Sequence, residues 1–74
     1  MKQLHEVQKN KIVWVYVWDS NADSYFWMLG VYKGYDWVGV IPWDNYQNHS
    51  TLADYELHPL GWEELVEPYS EPKI

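Results

Sequence analysis

Ile12, Val13, Trp14, Val15, Tyr16, Val17 and Trp18 run without a polar break, and this run constrains the fold more than any other feature. β-Branched and aromatic side chains suit a pleated strand. Successive side chains of a strand point to opposite faces. Val13, Val15 and Val17 therefore share one face, and Ile12, Trp14, Tyr16 and Trp18 share the other. Both faces are apolar, so the strand is central in its sheet or reserves one face for a partner. Residues 19–24, rich in Asp, Asn and Ser, read as a turn. Residues 25–32 form a second strand, Lys33 and Gly34 a tight turn, and residues 35–41 a third strand stopped by Pro42. With a two-residue loop, Tyr32 faces Tyr35, Gly30 faces Trp37 and Met28 faces Gly39. Phe26, Met28, Tyr32, Tyr35, Trp37 and Ile41 then lie on one face, with Trp27, Leu29, Val31, Val38 and Val40 on the other.

After Pro42 the alternation weakens. Residues 43–50 read as a loop, and residues 54–58, where Tyr55 and Leu57 alternate with Asp54 and Glu56, as a short fourth strand. Trp62, Leu65 and Val66 fall at i, i+3 and i+4, with Glu63, Glu64 and Glu67 facing away. That spacing predicts one or two turns of amphipathic helix between Gly61 and Pro68. Residues 1–10 and 69–74 read as loosely ordered ends. At 74 residues the chain has room for one small domain, spanning 1–74. The expected fold is a small β-rich α+β domain: a three- to four-stranded antiparallel meander with a short C-terminal helix.

Charge narrows the partners. Five Lys stand against eleven Asp and Glu, giving −6, and there is no Arg. Residues 1–41 balance, and the whole excess lies in residues 42–74. Duplex nucleic acid and anionic membranes offer such a chain no cations, whereas a basic protein surface does. There is no Cys, hence no disulfide and no thiolate metal site. The N-terminal residues lack an apolar stretch and the apolar runs are too short to span a bilayer as helices, so the chain is expected in the cytoplasm.

The residues that could carry chemistry point elsewhere. His5, His49 and His58, with Asp44, Asp54 and Glu56 nearby, include no i,i+4 histidine pair, and read as surface groups. Glu63 and Glu64 are adjacent and cannot face each other on a helix. No serine sits in a nucleophile frame, and Gly30, Gly34 and Gly39 are spaced as strand and turn glycines. No enzyme activity, metal or cofactor is expected. Aromatics on a sheet can stack bases, but such surfaces are rimmed with Lys and Arg, so no direct nucleic acid is expected either.

Binding remains. Trp 6 and Tyr 7 in so short a chain exceed what its core needs, and interface cores favour these rings. In size, acidity and aromatic content the chain resembles the small acidic inhibitors of phages and mobile elements, and the immunity proteins that neutralise basic nucleases. That resemblance implies a non-enzymatic inhibitor that grips a basic surface of a host nucleic-acid-handling or defence protein. The expected aromatic contacts are Trp14, Tyr16, Trp18, Tyr32, Tyr35, Trp37 and Trp43. The expected acidic contacts are Asp54, Glu56, Glu63, Glu64 and Glu67. The alternative is an oligomeric sponge that sequesters a small nucleotide-like ligand among rings such as Trp14, Trp18, Trp37 and Trp43. A sheet apolar on both faces, with one short helix to cover it, also predicts a homodimer. Its contact would be Trp14, Tyr16 and Trp18, or Tyr32, Tyr35 and Trp37.

Overall fold

The computed structural model describes residues 1–41, 46–66 and 70–73. Five strands form one antiparallel sheet: β1 (Ile12–Asp19), β2 (Ser24–Tyr32), β3 (Trp37–Ile41), β4 (Tyr46–Thr51) and β5 (Leu57–Glu64). Their order is β4-β3-β2-β1-β5. The first four strands form a meander, and β5 returns to pair with β1. The β-rich antiparallel fold read from the sequence is present, with the first three strands within two residues of their expected bounds.

The differences lie in the turns and the second half. The β2–β3 loop holds residues 33–36, closed by the Lys33 N–H donating to Asp36 O at 2.8 Å. Tyr32 therefore faces Trp37, and Gly30 faces Gly39. This two-residue shift leaves Tyr32 and Trp37 together on one face and Val31 and Val38 on the other, as expected, because the strand repeat is two, whereas Tyr35 moves from the strand into the loop. The Trp37 ring still reaches Gly30 diagonally, 3.6 Å from where a Cβ would stand.

Residues 46–50, expected in a loop, form edge strand β4 together with Thr51. Backbone pairing along an edge needs no apolar alternation, so the polar sequence gave no strand signal. The expected strand at 54–58 begins only at Leu57. Ala53–Tyr55 is a 3-10 turn instead. It is set by reciprocal bonds, Thr51 N–H to Asp54 Oδ2 at 3.1 Å and Asp54 N–H to Thr51 Oγ1 at 3.3 Å, which resemble a helix-start capping box. Glu56 then takes a left-handed conformation, φ 58°. The expected helix at 62–67 is also absent among the described residues: Trp62, Glu63 and Glu64 belong to β5, and Leu65 and Val66 have no regular structure. Three apolar positions are too few to hold a helix against an unpaired β1 edge, and Val15 facing Trp62 satisfies that edge.

The sheet is rolled. Its edge strands, β4 and β5, would stand about 19 Å apart if four strand spacings lay flat. Yet Leu57 N–H donates to Leu52 O at 3.0 Å, and Leu52 N–H donates to Trp37 O at 2.9 Å. Two hydrogen bonds thus link the start of β5 to β3. The inner core is Val13, Val15, Val17, Trp37, Leu52 and Trp62, with Leu4, Val7, Met28, Tyr32 and Leu57 packed against it. On the other face Val31, Val38 and Val40 form a second cluster with Ile12 and Leu29.

The N-terminal arm is docked rather than loose. Lys2 and Trp62 exchange backbone hydrogen bonds at 2.8 and 3.0 Å, and the Trp62 indole donates to Gln3 O at 2.8 Å. Leu4–Glu6 forms a 3-10 turn. Residues 70–73 have no regular structure.

Candidate protein-binding surface

Two turns meet at one end of the sheet. In the β1–β2 turn, Asp19 Oδ1 accepts the N–H groups of Asn21 at 3.0 Å and Ala22 at 3.2 Å. Its side chain thus builds the turn. Ser20 donates twice to Glu56 O, from its backbone N–H at 3.3 Å and from Oγ at 3.1 Å. This ties the β1–β2 turn to the end of the Ala53–Tyr55 turn. The acidic β1–β2 turn, with Asp19 and Asp23, is thereby joined to the segment that carries Asp54 and Glu56. Asp19 and Asp54 already accept backbone N–H groups. Asp23 and Glu56 are exposed, and neither carboxylate is bonded among the described residues.

Aromatic rings lead away from that end across the outer face of β1 and β2. Trp18 faces Tyr25 and Tyr16 faces Trp27 in the register. The Trp18 and Tyr25 rings are 4.7 Å apart and tilted by 44°. Tyr16 stacks on Tyr25 at 5.8 Å and 11°, and meets Trp27 at 4.9 Å and 48°. Exposure is graded along this ladder. Trp14 and Trp27 are each 8% exposed, Tyr16 and Trp18 are half-buried, and Tyr25 is 57% exposed beside the acidic turn.

The other expected contacts do not join this surface. Tyr32 and Trp37 lie on the inner face, 5.4 Å apart and tilted by 45°. With Leu4, His5 and Val7 they line a groove of about 440 Å³. Tyr35 stands alone at the β2–β3 tip, 85% exposed. Glu63 and Glu64 are at the far end of β5, about 23 Å along the strand from its start. There Glu63 pairs with the Met1 ammonium at 3.2 Å and Glu64 with Lys11 at 2.6 Å. Trp43 and Glu67 lie outside the described residues. The acidic half of the sequence is therefore not one patch. Two acids from the balanced half, Asp19 and Asp23, complete the cluster instead, and Tyr25 supplies its most exposed ring. The signal for them was an acidic turn joining two aromatic strands, which the charge division at residue 41 concealed.

Three of the five lysines sit at the opposite end of β1 and β2. Lys33 is in the far turn, Lys9 lies over Gly34, and Lys11 precedes β1. Among the described residues no three His, Cys, Asp or Glu side chains are grouped to hold a metal, and no helix is long and apolar enough to cross a membrane. The chain matches no family model, no curated protein and no solved structure.

Proposed function

We propose that the chain is a non-catalytic binding protein that holds a basic protein surface against the acidic end of its aromatic ladder. One observation carries the reading: the paired Ser20–Glu56 hydrogen bonds tie two acidic turns together at the end of β1 and β2 that carries Trp18 and the exposed Tyr25. Rings supply contact area at low entropic cost, and carboxylates steer a cationic partner and reject phosphates. The biological setting that suits this chemistry is inhibition by a phage or mobile-element protein of a host nucleic-acid-handling or defence protein in the cytoplasm.

Capture from a bacterial lysate tests it. The Asp23→Asn, Glu56→Gln double variant should retain about tenfold less of the captured basic protein, while Glu63→Gln with Glu64→Gln should match the parent chain. Retention should also fall as salt shortens the screening length below about 10 Å. Capture that ignores salt, or that is lost only with Glu63 and Glu64, would place the contact elsewhere.

A further inference from the structure

We infer that the acidic end of the ladder recognises arginine in particular, stacking a guanidinium of the partner on Tyr25 and Trp18. The inference rests on the binding surface proposed above and names the chemistry it selects. Three observations converge. The Trp18 and Tyr25 rings meet at a 44° tilt, so they form a corner, and Tyr25 is 57% exposed. Asp23 lies two residues before Tyr25, and the Glu56 backbone is bonded to Ser20, two residues after Trp18; both carry carboxylates unbonded among the described residues, while Asp19 and Asp54 are held in their turns. The chain has no Arg of its own.

A guanidinium is planar and weakly hydrated, stacks on aromatic faces, and presents several N–H donors in its plane to carboxylates. An ammonium is a compact, strongly hydrated charge and uses a ring face without the planar match. An aromatic corner with acidic residues in the adjoining turns thus favours Arg over Lys. A second copy of the chain is a poor occupant, because it can offer no guanidinium at all. The molecule already uses one of its lysines on a ring elsewhere: the Lys2 ammonium lies 5.6 Å from the Trp62 ring centroid.

The test titrates the whole 74-residue, isotope-labelled chain with three capped pentapeptides differing only at the central residue: Arg, Lys or citrulline. Amide shifts should be confined to Tyr16, Trp18, Asp23, Tyr25 and Glu56. The Arg peptide should bind about fivefold tighter than the Lys peptide, and citrulline should not bind. Tyr25→Leu, at an exposed site, should make Arg and Lys peptides equal, while Asp23→Asn should weaken both. Equal affinity for Arg and Lys at this surface in the parent chain overturns the inference and leaves the basic-partner reading standing. No shifts at this surface with either cationic peptide overturn both.

Discussion

Three tryptophans with similar burial differ in what their indole N–H groups do. Trp62 is 4% exposed, and its Nε1 donates to Gln3 O at 2.8 Å. Trp14 and Trp27 are each 8% exposed, and their Nε1 atoms are buried with no acceptor. A buried donor left unmet costs about 1–3 kcal/mol. Replacing the indole by a phenyl ring removes that penalty at Trp14 and Trp27, offsetting part of the lost packing, whereas at Trp62 it removes a made bond. Trp62→Phe is therefore expected to lower stability by about 1–2 kcal/mol more than Trp14→Phe or Trp27→Phe. Urea unfolding with unchanged m-values reads this directly; equal losses at all three sites would mean that the Trp62 bond adds no net stability. None of this was legible in the sequence, where Trp14 and Trp27 read as apolar strand positions and Trp62 as an apolar position of a short helix. Which indole finds an acceptor depends on where the N-terminal arm lies.

At the scale of elements, β5 shows how a short signal is decided by its neighbours. It pairs with β1 along its length, with a register irregularity between Tyr16 and Val17. At Trp62 its other edge is taken by Lys2, and Pro59 in the same edge strand has no N–H to offer a further strand. Gly61 makes the close crossing of the arm feasible. A Cβ there would overlap the Met1 side chain and stand 2.9 Å from Lys2 O. Gly61→Ala should displace the arm and cost about 1–3 kcal/mol. Hydrogen exchange should then quicken at the Lys2 and Trp62 amides. If both amides keep their protection, the arm accommodates the methyl and the crossing does not depend on glycine.

The whole molecule bears on self-association. The expectation of a homodimer rested on a second apolar face left bare by a single short helix. In one chain that face is largely covered: Val31, Val38, Val40, Trp14 and Trp27 are all buried. Tyr25, Phe26 and Tyr35 are exposed, but Tyr25 alone continues that face, Phe26 pairing with inner-face Val17 and Tyr35 lying in the β2–β3 turn. Light scattering is accordingly expected to give the mass of one chain, 8.9 kDa, across a tenfold dilution. Twice that mass would return the Trp14, Tyr16 and Trp18 face to the role of self-contact.

What the sequence by itself determined is the part governed by local periodicity. Alternating β-branched and aromatic residues specify β1, β2 and β3, and their antiparallel order follows from short connections. The face assignments survived a two-residue error in register, since side chains repeat every two residues. Only the tertiary structure decided the second half. β4 is held by backbone bonds to β3, which carry no side-chain pattern, and β5 by the open edge of β1, a site absent from the local sequence. The acidic aromatic surface depends on rolling the sheet until Ser20 meets Glu56, 36 residues apart in the chain. Charge summed along the sequence had divided those acids between a neutral half and an acidic half, because closeness in space there is set by the roll of the sheet.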